Sequence, residues 1–415
     1  MALIEGNPVD EANVTPELIE TGLRVTAAAS LVLWLIVVVE RRRWWPSQWS
    51  LHLDAAARQP RPGDYGELVI VIPARNEASV LPRTLPRLVK QSDWYRRLVV
   101  VDDRSSDNTA SLAARLTHGT EAEPKLQIVR IEEIESGWSG KLHALGAGAE
   151  AALHGWEGDT ERQWILFTDA DVLHPTSSLG RMLSKASLED LDLVSVVVKR
   201  RCDTLWEWLL VPPLLYFFHF MFPFRSASDP RSRTAAAAGS MMLIRRRVFD
   251  DIGGFQELGH HVDELALAKR IKLRGGKCWL GLDPDLTSLR SYGTLGQVRS
   301  TVERCAFEQL RYHYILIPVV WLGVLLMFTL PPALAIYGAM QLDVALAAPA
   351  AFAWLLATVN FLPVVGYLGA PTAFALTLPV TSIMYAWITT ASAWRHLKGN
   401  PAPWRSSPAG LSPDD

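Results

Sequence analysis

An α/β domain carried on membrane-spanning helices is the fold class that this 415-residue sequence predicts. Three observations predict it. Short apolar runs at 68–73, 98–102, 126–131 and 164–168 recur about thirty residues apart, with helical patterns between the first three; that is the spacing of βαβ units and of a mostly parallel, Rossmann-like sheet covered on both faces. Runs one, two and four end abruptly in charged residues, and ligands of such sheets sit outside the carboxyl ends of the strands. Long stretches without Asp, Glu, Lys or Arg flank the domain at 25–39, 315–337, 344–362 and 367–390, each about long enough to span a bilayer once flanking residues are included.

Composition narrows the classes. The net charge is −2 and no basic face stands out, which argues against a nucleic-acid partner. The 16 tryptophans suit places where one edge of a ring is apolar and the other wet, as at a membrane interface. Cys202, Cys278 and Cys305 are too few and too scattered for a disulfide framework or a zinc cluster, which fits a reducing compartment.

The elements follow in order. Residues 1–21 form a polar, acidic tail, and 22–45 an anchor whose apolar core precedes Arg41-Arg42-Arg43-Trp44-Trp45. A cleaved signal peptide has the opposite order of charge and apolar core. The arginines therefore place the following domain in the cytoplasm and the N-terminus outside.

The domain runs over 67–312. Its first strand ends in Pro73-Ala74-Arg75-Asn76-Glu77, its second in Asp102-Asp103-Arg104-Ser105-Ser106-Asp107, its fourth in Asp169-Ala170-Asp171. Residues i and i+2 of an extended or turning segment point the same way, so Asp169 and Asp171 can reach one Mg²⁺ or Mn²⁺ that also holds a diphosphate. The same Asp-x-Asp can be a turn with a helix cap. Asp107 reads as the N-cap of a helix over 108–116. Asp102 and Asp103 form a second pair of acids, costly to gather without a cation or a hydrogen-bonding ligand, and a nucleobase N–H would suit one of them. Between strands three and four, Gly140 lets the backbone approach a ligand and Lys141, at the start of a helix, offers a point charge to phosphate, although the spacing is not that of a Walker A loop. His143 reads as structural or surface.

Residues 205–224 are apolar and aromatic, broken by Pro212-Pro213, and read as an interfacial or re-entrant segment that seats the domain on the bilayer; a buried core helix is the alternative. About three helices then occupy 315–392, followed by a tail at 393–415. Three crossings would leave that tail outside, yet Arg395, Lys398 and Arg405 favour the inside.

The ordered set Pro-x-x-Asn-Glu, Asp-Asp-x-Ser-x-Asp-x-Thr, Gly-Lys-x-x-Ala and Asp-Ala-Asp, with Gly239-Ser240-Met241-Met242-Leu243-Ile244-Arg245-Arg246 and Gly253-Gly254-Phe255 after it, resembles the processive and lipid-linked family 2 glycosyltransferases. Trp45-Pro46-Ser47-Gln48-Trp49 further resembles the opening of the hopene-associated branch. The resemblance implies a GT-A nucleotide-sugar-binding domain, a UDP-sugar donor, a divalent metal and inverting transfer. It also implies donor contacts from Pro73, Arg75, Glu77, Asp102, Asp103, Lys141 and Asp169, and metal contacts from Asp169 and Asp171.

The chain departs from the family at two places. Where the family has its Glu-Asp pair, this chain has Asp263-Glu264, which puts Glu264 in register with the catalytic base and leaves Asp263 as the alternative. Where the family has Gln-x-x-Arg-Trp, Thr301-Val302-Glu303-Arg304-Cys305 keeps only the arginine. Arg304 is then a candidate clamp on the leaving diphosphate, or a partner of Glu303 or Glu308, and loss of the rest argues for transfer of a single sugar. The expected function is a bacterial inner-membrane enzyme moving a sugar from UDP to a membrane lipid, with hopanoid metabolism as the narrower form. Synthesis of a polyisoprenyl-phosphate sugar and non-catalytic sensing of nucleotide sugars are its rivals.

Overall fold

The computed structural model describes residues 16–41, 51, 60–134, 140–256, 264–310 and 312–398. The chain divides into two compact units, one of residues 1–43, 305–362 and 372–400, the other of 44–304, 363–371 and 401–415.

The larger unit is built on one sheet of eight strands: β1 (Glu67–Ala74), β2 (Arg97–Asp103), β3 (Leu126–Ile131), β4 (Gln163–Thr168), β5 (Val172–Leu173), β6 (Leu193–Arg200), β7 (Met241–Arg245) and β8 (Cys278–Ser288), in the order β3-β2-β1-β4-β7-β6-β8-β5. The β3-β2-β1-β4 half is parallel; β7 runs antiparallel to β4 and β6, and β8 is parallel to β6. The carboxyl ends of β1, β2, β4, β6 and β8 and the amino end of β7 thus meet along one rim.

Near-continuous apolar strands are what a sheet covered on both faces requires. Along β1, Leu68, Ile70 and Ile72 enter one core with the helices Leu81–Val89, Thr109–Thr117 and Ser178–Leu188; Val69 and Val71 enter the other with Gly140–Leu153, Arg246–Asp251 and Glu264–Leu273. The helix over Gly140 packs very close, since a Cβ on Gly148 would collide with Val71 and Val101. Pro73 is tolerated inside β1 because the β1–β4 ladder has already ended at Val71.

Residues 205–221 form one continuous helix, although Pro212 and Pro213 were expected to break it. Both prolines lie buried inside the helix, and a capping box between Thr204 and Glu207 fixes its start.

In the smaller unit lie helices long and apolar enough to cross a membrane: Glu17–Glu40, Leu316–Met340, most of Val344–Leu368, and Thr372–Leu397. The last apolar run does not start at 367: Gly369, at φ +75°, and Pro371 stop the preceding helix, and the next begins at Thr372. Pro331 and Pro332 cannot donate backward, and the helix takes a π turn at Leu325–Thr329. The carbonyls of Leu326 and Met327 instead accept from Ser30 Oγ at 2.7 Å and Trp34 Nε1 at 2.7 Å. Both carbonyls would otherwise lack a donor within an apolar helix.

Candidate active site

The rim has two halves. In the first, β1 and β2 end in loops that bond to each other. Asn76 and Arg104 both take φ +53°, a left-handed turn, and Asn76 Oδ1 accepts from the Ser106 N–H at 2.8 Å while Asn76 N–H donates to Ser105 Oγ at 3.0 Å. The Glu77 N–H donates to Thr109 Oγ1 at 2.9 Å, and Asp107 accepts from the N–H groups of Ala78 and Thr109. Asp107 therefore serves the first turn of its helix from one residue outside it; the helix starts at Thr109 and Asn108 is its N-cap. Asp102 accepts from the Ser105 N–H at 3.2 Å and lines a cavity of about 450 Å³ with Arg104, Asn108, Ser111, Arg130 and Glu132. Asp103 turns inward, 1% exposed, with Arg104 Nε at 2.9 Å and Arg75 Nη1 at 3.8 Å. Pro73 stands back from the rim, buried in register with Val101.

The second half is held by side-chain charges. Lys141 Nζ lies 3.0 Å from Asp169 Oδ1 and 3.3 Å from Glu264 Oε1, and donates to the Gly239 carbonyl at 3.0 Å. Burial would depress the Lys141 ammonium, but the two carboxylates outweigh burial and hold its pKa above the ordinary value. A Cβ on residue 239 would overlap the Glu264 carboxylate, so any larger residue there displaces that side chain. One lysine thus joins the tip of β4, the turn before β7 and the start of the helix Glu264–Leu273.

Asp171 is reached from the far strand. The antiparallel pairing of Val172 with Ser288 carries the end of β8 back over the tip of β4, so that Leu289 N–H donates to the Asp171 carbonyl at 2.9 Å. Asp171 Oδ2 then accepts from Arg290 Nε at 2.8 Å and Ser288 Oγ at 3.2 Å, and Arg290 Nη2 donates to Glu77 Oε1 at 2.7 Å. A bulge in β8, which leaves Pro284, Asp285 and Leu286 outside the ladder, brings Arg200 into register with Ser288. Arg200 lies over the Tyr292 ring at 5.5 Å, and Tyr292, Asp171 and Asp169 raise its pKa against burial.

Glu77, Asp169, Asp171, Lys141 and Glu264 are accordingly gathered by shared partners, while Asp102 and Asp103 sit on the other half with Arg75. Asp263 and the side chain of Arg304 lie outside the described residues. Glu303, one of the partners considered for Arg304, is bound by Arg299 Nε at 2.5 Å. Arg290, Arg200 and Gly239 as the space for Glu264 were not singled out from the sequence. The only signal was a polar Ser288-Leu289-Arg290-Ser291-Tyr292 stretch after an apolar run.

Among the described residues no three of His, Cys, Asp or Glu gather into a metal cage. Two carboxylates at one strand tip, 33% and 8% exposed at the side chain, nevertheless fit Mg²⁺ or Mn²⁺, which commonly takes one or two protein carboxylates and fills its shell with water and substrate phosphate.

Residues 69–253 match the family model described as glycosyl transferase family 2. Over 103 residues the chain is 33% identical to 4,4'-diaponeurosporenoate glycosyltransferase of Staphylococcus haemolyticus, an alignment covering 25% of this chain and 24% of that protein, so it spans about a quarter of the curated relative. A mannosyltransferase from Pyrobaculum calidifontis, solved in complex with GDP-Man and Mn²⁺, superposes with a TM-score of 0.50 at 20% identity, covering 90% of this chain and 99% of that one. The fold is GT-A, a mixed, mostly parallel sheet, accompanied by four candidate membrane-spanning helices.

Proposed function

Residues 69–253 being a glycosyl transferase family 2 domain, we propose that this chain moves one sugar from a nucleotide donor, UDP-linked, to a hydroxyl of a membrane lipid, with inversion at the anomeric carbon. The observation that carries the reading is the shared lysine: Lys141 bonds both Asp169, at the proposed donor end, and Glu264, the proposed base. Glu264 takes the proton of the acceptor hydroxyl as its oxygen attacks the anomeric carbon; the bond to the diphosphate breaks and its electron pair leaves with the nucleotide. Lys141 and Arg290 bring positive charge to the side on which that negative charge develops. Mg²⁺ or Mn²⁺, held by Asp169 and Asp171, would add charge neutralisation of the diphosphate. Asp102, facing its cavity, would take the nucleobase N–H. Arg304 remains the proposed further clamp, and Asp263 the alternative base.

A membrane acceptor is supported by the apolar helix Leu205–Met221, whose Glu207 accepts from Ser291 Oγ at 2.9 Å and the Tyr292 N–H at 2.6 Å in the rim loop that carries Arg290. A hopanoid-linked lipid is the narrower form of the proposal. We place the protein in a bacterial inner membrane with the enzyme domain in the cytoplasm, on the strength of Arg41-Arg42-Arg43 after the first span. The tail belongs on the cytoplasmic side too. Within the smaller unit, Tyr314 and His396 share a hydrogen bond of 2.9 Å at one end, whereas Arg24 meets Asp343 at 2.9 Å at the other. Two full crossings between 343 and 396 would return the chain to the Asp343 side, so one of the last two apolar helices does not fully cross. Labelling of a single cysteine placed beyond Lys398, in sealed inverted vesicles and in whole cells, reads that side directly.

The test of function is turnover by the detergent-solubilised protein with UDP-sugars and GDP-mannose, Mn²⁺ or Mg²⁺, and total bacterial lipid. Release of UDP with one sugar moved to lipid, lost on Asp171→Asn and reduced about 10²- to 10⁴-fold on Glu264→Gln, is the expected result. The labelled product separates a glycolipid from a polyisoprenyl-phosphate sugar. Donor binding without turnover in the wild type would sink the enzyme reading and leave a sensor.

A further inference from the structure

Lending charge to the leaving diphosphate does not by itself explain why Arg290 is bound to two acids at once. Its guanidinium forks between two buried carboxylates from the loops after β1 and β4, Nε on Asp171 Oδ2 at 2.8 Å and Nη2 on Glu77 Oε1 at 2.7 Å. Its backbone is fixed there by the Leu289–Asp171 bond and the β5–β8 register, so the fork comes with the fold. Burial opposes its charge, yet Asp171 and Glu77 hold the guanidinium more firmly protonated than usual. The oxygen it takes, Asp171 Oδ2, is one that a divalent cation at this tip would also want, and one carboxylate oxygen in so tight a bond cannot serve both fully.

We propose that Arg290 is the resident cation of the donor site. In the absence of donor it neutralises Asp171 and Glu77 together, it competes with the divalent metal for Asp171, and it turns to the diphosphate once the donor is bound. Metal and arginine are then antagonists in the donor-free protein and partners in its presence. The inference rests on the reading of Asp169 and Asp171 as the metal-holding tip.

Binding of Mn²⁺ to the purified full chain without donor, read from loss of the free-Mn²⁺ electron paramagnetic resonance signal, tests it apart from activity. Arg290→Gln should bind Mn²⁺ about fivefold tighter than wild type, while UDP at saturating Mn²⁺ binds about tenfold weaker. Arg290→Lys keeps a charge but, as a single point, cannot bridge both acids, and should fall between wild type and the Gln variant on the Mn²⁺ scale. If Arg290→Gln does not stay folded, the Lys variant alone still decides by tightening or not tightening Mn²⁺. Unchanged or weaker Mn²⁺ binding in the folded variants overturns the resident-cation proposal. Asp171→Asn separates the two levels: if it weakens Mn²⁺ while the Arg290 variants fail to tighten it, only this inference falls, and if it leaves Mn²⁺ binding as in wild type, the metal reading falls and takes this one with it.

Discussion

The two halves of the rim are built from different materials. At the ends of β1 and β2, carboxylates and amides mostly accept from backbone N–H groups and short hydroxyl side chains: Asp107 from Ala78 and Thr109, Asn76 from Ser106, Asp102 from Ser105. Around the ends of β4 and β8, acids are met by long cations, Asp169 and Glu264 by Lys141 and Asp171 by Arg290, which also reaches across to Glu77 beyond β1; Asp103 of β2, paired with Arg104 and Arg75, is the exception in the first half. Backbone-anchored bonds hold a shape whether or not a ligand is present, because their donors cannot swing away. Ion pairs made by long side chains can be exchanged for a ligand's charges with little disturbance of the chain. Under the proposed function, the first half would recognise an invariant piece of the donor and the second would meet the part whose charge changes during transfer.

Among substitutions that remove no charge, the largest expected effect breaks the second half. Gly239→Ala places a Cβ where the Glu264 carboxylate stands. Glu264 must move, and a displacement of about 1 Å at a reacting group is enough for a loss of roughly 10²-fold in kcat. Donor affinity should hardly change, since the β1–β2 half is untouched. A matched fall in donor affinity, measured by calorimetry with UDP, would mean that the two halves are not separable.

How much of this was legible in the sequence follows the same division. The strands β1 to β4 could be read because each is an apolar run with a helix-length spacer, and their carboxylates are local to the strand ends. The strands β6, β7 and β8 form the other side of the sheet with mixed directions and no regular spacing, so no periodicity announces them. Arg290 lies 119 residues from Asp171 and 213 from Glu77. Only the antiparallel β5–β8 pairing and the β8 bulge bring Arg290 and Arg200 to the tip, and neither leaves a mark that a single sequence displays. Lys141 was legible as a cation at a helix start, but its role as the tie between Asp169 and Glu264 was not, because it depends on a glycine 98 residues away. The prolines of 205–221 misled for the opposite reason. Local propensity predicted a break, and capping with tertiary packing overrode it.

A smaller effect sharpens the comparison from the first half. Asp102→Asn keeps the size of the side chain but removes the charge that would hold a nucleobase N–H. Donor affinity should fall about tenfold, equivalent to about 1.4 kcal/mol, with kcat at saturating donor within about twofold of wild type. The KM-against-kcat split is the measurement. A loss carried in kcat would place Asp102 with the reacting atoms and dissolve the distinction between the halves.

The last effect falls on stability more than on transfer, and concerns the tie between the apolar helix and the rim loop of the second half. Glu207 is fully buried and accepts from Ser291 Oγ and the N–H groups of Tyr292, Asp203 and Thr204. Burial alone would raise its pKa; these donors outweigh burial and hold it down to about 2, from an ordinary value of 4.5. A carboxylate depressed in this way stabilises the folded protein above pH 4.5, and that contribution drains away as the pH falls from 4.5 toward 2, where the folded form at last takes up its proton. Glu207→Gln cannot accept at both ends of its side chain, and should cost about 2 kcal/mol at neutral pH, since hydrogen bonds to a charged group are lost and a buried donor is left facing an amide N–H₂. Its unfolding temperature should also fall less steeply than that of wild type between pH 4.5 and 3. Equal acid slopes for the two proteins would show that the Glu207 tie is not what makes the rim loop sensitive to acid. Since the loop carries Arg290, a steeper loss of donor binding than of overall fold in the wild type over the same range would show the tie acting on the charged half of the rim before the sheet itself gives way.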